Sequence, residues 1–346
     1  MTSLPSTDEG LMGHLKNWRR NLLGIGISCV CLGFIAWRVD LKEAGMAIAH
    51  FRWPYLFPGL LSLAAGYAMR IVRWSTLLRA AGAHVSASVC ASPFLGSIAL
   101  NNIFPMRLGD MVRALVFPAA IGVGRATATG SLVMERLVDL MTLLSCLLIA
   151  LAFSPKVHLP DWMKSAAVSL GLLGGVALAS VFLLSGVLSR CCTGLIDRYQ
   201  GQWHEKGLRL ITMLRNLLGS FDAMSHLPAL ITLFALSMLV WAGEAGLFWA
   251  LLLGFGLEAG PTTAAVVMAI ATLSTLVPSS PGYVGPFHLA AYTAISMLGG
   301  TPGQAASFAV VAHLGLWFPT TLAGALAILL NPRLFSRVKA EKAINR

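Results

Sequence analysis

Residues 101–113 read Asn-Asn-Ile-Phe-Pro-Met-Arg-Leu-Gly-Asp-Met-Val-Arg, and this stretch interrupts a long apolar segment of the chain. The asparagines and Pro105 disfavour a continuous helix, and three charged residues, Arg107, Asp110 and Arg113, follow directly. Charged side chains at membrane depth are costly, and they usually face a bundle interior or a wet cavity that serves as a pathway or binding site. The stretch therefore predicts a broken helix beside a polar site.

The composition excludes a soluble globular protein, because 57% of the residues are hydrophobic and only 11% are charged. Apolar stretches recur along the whole chain, which predicts an all-α integral membrane protein with one membrane domain. About six stretches are long enough to cross about 30 Å of hydrocarbon as helices. These predicted spans are residues 21–37, 54–78, 127–153, 165–188, 228–254 and 305–330.

Two further apolar stretches, residues 88–118 and 262–298, are interrupted in the middle by Pro, Gly, Asn and Ser. The breaks lie around Asn101–Pro105 and Pro278–Gly285. Backbone groups freed by such breaks would be unsatisfied in lipid, and they are tolerated only when buried in protein or lining a water-filled cavity. Each stretch is therefore predicted to be a re-entrant hairpin made of two half-helices.

Basic residues predict the orientation of the chain. With both hairpins re-entrant, most Lys and Arg residues of the loops lie on one side, which the positive-inside rule assigns to the cytoplasm together with both termini. The net charge of +11 then reflects topology in the inner membrane and contact with anionic lipid, not nucleic acid. The predicted parts are a tail at 1–20, a membrane domain at 21–330 with an amphipathic cytoplasmic linker at 189–226, and a basic tail at 331–346.

The chain is predicted to contain two related halves, about residues 54–153 and 228–330. The matching segments are Pro105–Gly109 with Pro281–Gly285 and Arg73–Leu78 with Phe248–Leu253. Two full spans lie between the first span of each half, so the halves would run in opposite directions as an inverted repeat. Paired interrupted segments of this kind indicate a midplane substrate site in transporters. A chance match within apolar sequence is the alternative.

Arginine and aspartate near the first break predict an anion site. If Arg107, Asp110 and Arg113 share one face of a helix, Asp110 can pair with either arginine and leave the other free. Arginine suits phosphate because its planar fork donates two parallel hydrogen bonds and stays charged. An internal ion pair that fixes the hairpin is the alternative. Arg70 and Arg73 are also candidates, although at a span end they could simply extend to the lipid headgroups.

Glu135, Arg136 and Asp139 interrupt the predicted span at 127–153. Unpaired acids at this depth would be costly, so they are expected to meet arginines across the bundle. The expected partners are Arg70, Arg73, Arg107 and Arg113. A structural charge network and a proton-coupling role for a desolvated carboxylate both fit this pattern.

The second break is expected to expose backbone N–H groups, which favour anionic ligands at helix N-termini. Glu244 and His288 are second-tier site candidates, because they are lone polar groups on apolar helices, where satisfied core residues are commoner than ligands. The full set of predicted substrate-contacting residues is Arg70, Arg73, Asn101, Arg107, Asp110, Arg113, Gly282, Tyr283 and Gly285. No metal-ligand spacing, cofactor motif or catalytic motif is recognisable in the sequence, so no cofactor is predicted.

Four motifs also carry a family resemblance. They are Arg-x-x-Arg-Trp-x-x-Leu-Leu at Arg70–Leu78, Asn-x-x-x-Pro-x-Arg-x-Gly-Asp-x-x-Arg at Asn101–Arg113, Glu-Arg-x-x-Asp at Glu135–Asp139, and Pro-x-x-Pro-Gly-x-x-Gly at Pro278–Gly285. Together they resemble the lysylphosphatidylglycerol synthase transmembrane family, also called flippase-like, over roughly residues 20–330. The resemblance implies a membrane part that moves a charged lipid between leaflets. The C-terminal synthase domain of two-domain members is missing here, so lipid aminoacylation is not expected.

The sequence thus predicts a flippase-like or scramblase-like protein that binds or moves an anionic lipid, and it does not predict an enzyme. Phospholipid, aminoacyl-lipid, hopanoid and polyprenyl-phosphate substrates all fit a basic site of this kind. Pathway enzymes or a second copy of the chain would be its protein partners. Two alternatives stay open: a lipid-modifying transferase that uses Asp110 or Asp139, and a structural subunit of a lipid or glycolipid pathway.

Overall fold

The computed structural model describes residues 25–153, 160–198, 205–224, 226–277 and 279–335. These residues are almost entirely helical and contain no β-strand, which confirms the all-α prediction. The α-helices are α1 (Ile25–Arg38), α2 (Leu41–Ala49), α3 (Leu56–Ala80), α4 (Ala87–Ile103), α5 (Leu108–Leu115), α6 (Arg125–Ala152), α7 (Asp161–Arg198), α8 (Glu205–Met224), α9 (Leu227–Gly254), α10 (Pro261–Leu273), α11 (Pro286–Met297) and α12 (Pro302–Leu330).

Among the described residues, three helical segments are long and apolar enough to cross a membrane, namely Trp53–Ala80, Leu227–Gly254 and Pro302–Leu330. They begin and end within a few residues of three predicted spans. Their outward faces carry large apolar side chains such as Phe57, which suits contact with lipid. The protein is therefore an integral membrane protein.

Both predicted helix breaks are present. Helix α4 ends at Ile103, and a 3₁₀ turn over Pro105–Arg107 leads into α5. In the second half, α10 is followed by 3₁₀ turns, the last at Pro281–Tyr283, before α11 begins. Pro278 lies outside the described residues. Proline explains the position of the first break, because Pro105 lacks the N–H that would continue the helix.

The two breaks share an unusual backbone geometry. Among the described residues, Arg107 and Tyr283 are the non-glycine positions with positive φ, at 53° and 61°. Each is the last residue of a 3₁₀ turn that begins with proline. This left-handed conformation is strained for a side chain and tends to persist at functional sites, where surrounding structure fixes it.

Helix α3 packs closely along α9, and the two run antiparallel. The Ser62 hydroxyl donates to the carbonyl oxygen of Gly243 (2.9 Å), whereas Arg73, three turns later, donates to the hydroxyl of Ser237 (2.6 Å). Gly66 lies against the backbone of Gly243, and the absence of side chains at both positions permits this approach. The first helix of one predicted half is thereby fastened to the first helix of the other.

Other helix contacts also join the predicted halves. Helix α4 packs on α12, and helix α10 packs on α6. The same sequence of elements occurs twice, as α3, α4, break, α5, α6 and as α9, α10, break, α11, α12. The broken segments meet at the centre of this arrangement, where their two 3₁₀ turns are in contact.

The described part of the predicted linker at 189–226 is helical, and residues 199–204 and 225 lie outside it. Its first part continues α7 to Arg198. In the C-terminal part of α8, Phe221 and Met224 are buried against Leu77 and Met134 of the bundle. The N-terminal part of α8 does expose apolar side chains, including Leu210. The predicted tail at 1–20 and residues 336–346 lie outside the described residues.

Candidate functional site

A cavity of about 460 Å³ lies at the meeting point of the two broken segments. Its size falls within the range of small-molecule sites. Both predicted halves contribute to its wall, and the polar and aromatic part of the lining is Tyr67, Arg70, Asn101, Asn102, Arg107, Arg136, Asp139, Trp241, Glu244, Thr272, Thr275, Tyr283, Phe287, His313, Trp317 and Thr320. Charged groups beside apolar side chains can hold a headgroup by its charge while excluding bulk water.

Arg107 occupies the first break and faces this cavity. Its guanidinium donates to the carbonyl oxygen of Thr275 (3.3 Å) and lies 5.6 Å from the ring centre of Tyr283. Within the described part of the chain, no carboxylate oxygen lies within 4.0 Å of it. The prediction that Arg107 shares a helical face with Asp110 is wrong, because Arg107 precedes α5 and has left-handed backbone geometry.

Arg113 lies behind the cavity wall and does not line it. Its side chain is 1% exposed, and its fork donates to both carboxylate oxygens of Glu135, at 3.3 and 3.0 Å. The guanidinium also stacks near Trp74 and Phe94, at 5.3 and 4.8 Å from the ring centres. The prediction that Arg113 is available to an anion is therefore wrong, because Glu135 already occupies its fork.

Asp110 is held by protein groups. Arg136 donates to both of its carboxylate oxygens at 3.0 and 2.8 Å, and the Asn101 amide donates to one of them at 2.9 Å. The oxygen of Asn101 also accepts the backbone N–H of Asp110 (3.0 Å). This cluster joins α4, α5 and α6, so Asp110 positions Asn101 and Arg136 instead of facing a ligand. Arg136 remains 38% exposed and borders the cavity.

Arg70 and Arg73 do not extend to the lipid headgroups, because acids of neighbouring helices bind them. Arg73, only 1% exposed, donates to both oxygens of Asp139 at 2.5 and 3.1 Å. Arg70 donates to Glu244 (2.9 Å), lies 4.0 Å from Asp139, and packs over Trp241. The expectation that Asp139 meets arginines across the bundle is confirmed.

Of the remaining predicted site residues, which lie at or just after the second break, some line the cavity and others do not. Gly282 and Tyr283 line the cavity, whereas Gly285 and His288 do not. Gly285, at φ 104°, packs against the backbone of Ser28 in α1, where any side chain would collide. His288 accepts the N–H of Gly285 through Nδ1 at 3.5 Å. Both residues therefore shape the break and do not line the pocket.

Several cavity residues were missing from the predicted substrate-contacting set. Glu244, a second-tier candidate, lines the wall together with Trp241, which lies one helical turn earlier and was not predicted. The amide of Asn102 donates to the hydroxyls of Thr320 and Thr321 at 3.0 and 2.9 Å. A signal was available for Trp241 and Glu244, because a tryptophan and an acid one turn apart on an otherwise apolar helix share a face.

Comparison with curated proteins finds a distant relative of the chain. It is 24% identical over 290 residues to "Glycosyltransferase AglD" of Haloferax volcanii, an alignment that covers 74% of this chain and 46% of that protein. The chain thus spans about half the length of this curated relative.

The family resemblance inferred from the four motifs is confirmed. A family model described as "Lysylphosphatidylglycerol synthase TM region" matches residues 21–324, which include α1 to α11, both helix breaks and most of α12. Every residue of the cavity wall falls inside the match. The chain therefore belongs to the lysylphosphatidylglycerol synthase TM region family.

Proposed function

We propose that the protein binds the headgroup of an anionic lipid in the central cavity and moves that lipid between the leaflets of the inner membrane. The observation that carries the proposal is Arg107, a guanidinium that faces the cavity and has no carboxylate within 4.0 Å among the described residues. Arg107 is half-buried, and a cation partly shielded from bulk water favours an anionic partner. Arginine is also the side chain best suited to phosphate oxygens.

The architecture supports a transporter with about six full spans and two re-entrant hairpins in two inverted halves, about 54–153 and 228–330. The order of elements repeats, the positive-φ residues Arg107 and Tyr283 occupy corresponding places, and α3 runs antiparallel to its counterpart α9. Transporters built from inverted repeats place their substrate between the halves, at discontinuous helices. In support of the proposal, residues of both interrupted segments line the cavity.

In the proposed mechanism the phosphate of the headgroup takes the place of the Thr275 carbonyl as the acceptor for Arg107. Apolar side chains beside both breaks, including Phe104 and Leu276, are exposed and would contact the acyl or isoprenoid chains. The lipid tails would thus stay in the bilayer while the headgroup passes through the cavity, either by alternating access or along a polar groove. Hopanoid and polyprenyl lipids fit the same arrangement.

The first experiment compares lipid movement by the unmodified protein and by Arg107→Gln in liposomes with leaflet-labelled anionic lipids. Loss of one charged hydrogen bond of about 1.5–3 kcal/mol predicts movement about tenfold to a hundredfold slower. Arg107→Gly gives a second test, because glycine accepts the left-handed backbone without strain. Arg79→Gln is the matched control, since Arg79 is exposed and bonds only within its own helix.

Unchanged movement by Arg107→Gln at equal folded abundance would remove Arg107 from the site. If the unmodified protein moves no lipid while folded, the transport proposal itself fails.

A membrane-embedded transferase is the second candidate, supported by the relative named as a glycosyltransferase. Against it, the two cavity acids Asp139 and Glu244 are bound by Arg73 and Arg70, so neither is set up as a general acid or base. Mass spectrometry of lipids incubated with the purified protein tests this candidate, which requires a new covalent product. Copurification with a fixed partner, without movement or product, would instead indicate a structural subunit.

A further inference from the structure

Eight charged side chains behind and beside the cavity form four closest pairs, and longer contacts of 3.7–4.0 Å connect these pairs. The pairs are Arg70 with Glu244 (2.9 Å), Arg73 with Asp139 (2.5 Å), Arg113 with Glu135 (3.0 Å) and Arg136 with Asp110 (2.8 Å). Each arginine is matched by one carboxylate, so this cluster carries no net charge with its groups ionised. Such pairing is what permits so many ions at this depth.

Arg107 stands outside this balance. Its partners are the Thr275 carbonyl oxygen and the Tyr283 ring, neither of which carries a charge. The described part of the cavity therefore holds one uncompensated positive charge. A ligand with one negative charge makes the occupied cavity neutral, and removal of unbalanced charge is strongly favoured where solvation is poor.

Other headgroup types leave the cavity unbalanced. A zwitterionic headgroup would bring an ammonium group, yet the acids that line the cavity, Asp139 and Glu244, are already bound by arginines. A terminal phosphate monoester carries about −1.5 to −2 charges at neutral pH and would leave surplus negative charge. A phosphodiester without an amine carries a single negative charge at neutral pH.

Resting on the proposed lipid-binding role, we infer that the cavity selects a monoanionic phosphodiester headgroup that lacks an amine. Arg107 is the residue that determines this selectivity, because the charges of the other four arginines are neutralised by the protein's own carboxylates. The inference concerns the charge of the headgroup and does not depend on whether the tails are acyl or isoprenoid.

The test is equilibrium binding of short-chain lipids with identical tails to the purified protein at pH 8, followed by native mass spectrometry. The probes are phosphatidylglycerol as monoanion, phosphatidic acid as dianion and phosphatidylcholine as zwitterion. Phosphatidylglycerol is expected to bind at least about tenfold more tightly than either of the others. Equal affinities, or tighter binding of the dianion or the zwitterion, would overturn the inference.

Two variants change the charge count in opposite directions. Arg107→Gln removes the surplus charge, so the preference for the monoanion should shrink to within about twofold. Glu244→Gln frees one more cation, because Arg70 then keeps only Asp139 at 4.0 Å, and the preference should shift toward phosphatidic acid. A preference for the monoanion that persists in Arg107→Gln refutes the inference even if Glu244→Gln does not fold.

These outcomes separate the inference from the transport proposal. Monoanion-selective binding without movement in liposomes would keep the charge rule and refute transport. Equal movement of all three headgroups, with equal affinities, would keep transport and refute the charge rule.

Discussion

Removing Arg113 should destabilise the protein strongly, although Arg113 does not line the cavity. Its buried guanidinium binds both oxygens of Glu135 and packs against Trp74 and Phe94. Arg113→Met keeps the apolar volume and leaves Glu135 without its main partner. Among the described residues, Arg73 at 3.7 Å would then be the cation within 4.0 Å of Glu135.

The expected loss follows from that geometry. Breaking a buried ion pair by removing one partner costs about 3–5 kcal/mol of stability. Because Glu135 keeps its contact with Arg73, we expect a loss of about 3 kcal/mol in the free energy of unfolding. Replacing both partners, as in Arg113→Met with Glu135→Leu, removes the unpaired charge and should restore stability to within about 1 kcal/mol. Arg79→Met, at an exposed arginine, should change stability by less than about 0.5 kcal/mol.

Unfolding of the purified protein in mixed micelles, with the denaturing detergent fraction as the variable, gives the free energies for this cycle. If Arg113→Met costs less than about 1 kcal/mol, Glu135 is hydrated and the pair is not the buried contact described above. A double variant no more stable than Arg113→Met would refute the argument that an unpaired acid causes the loss.

Two further predictions concern the packing and orientation of the halves. Gly243→Val should cost at least about 1–3 kcal/mol in the same unfolding assay, because a Cβ at that position would lie 2.6 Å from the Cα of Gly66. Gly33→Ala, with open space around it, should leave the stability unchanged. Equal stability of the two variants would contradict the close α3–α9 contact. His84 and Glu258 lie in corresponding exposed loops after α3 and α9. In a cysteine-free background, Glu258→Cys should react with a membrane-impermeant maleimide added outside intact cells, whereas His84→Cys should react only from the opposite side of the membrane. Labelling of both cysteines from one side would refute the inverted repeat.

The helices themselves were predictable from local sequence. Apolar length alone located α3, α9 and α12 within a few residues, and the clusters of Pro, Gly, Asn and Ser located both breaks. These features depend on the hydrophobic thickness of a membrane and on the missing N–H of proline, which act within a short stretch of chain.

The partners of the charged residues were less predictable, because they depend on contacts between distant helices. Spacing of three residues suggested that Arg107 pairs with Asp110, but spacing determines a shared face only when the helix is continuous. Sequence alone allowed Arg70 to extend to the lipid headgroups. Its actual partner, Glu244, lies far along the chain, and local sequence does not show that the two side chains meet. Family resemblance marked these positions without indicating which arginine stays unpaired.

The joint between α3 and α9 has a consequence for any moving part of this protein. Arg70 with Glu244, Arg73 with Ser237 and the glycine contact of Gly66 with Gly243 fasten the two helices along several turns. Sliding one helix over the other would expose ions and backbone groups in an environment that cannot solvate them. We therefore expect these helices to act as a rigid frame. The displacement that would admit and release a lipid would then come from the half-helices beside the two breaks, which are α4, α5, α10 and α11.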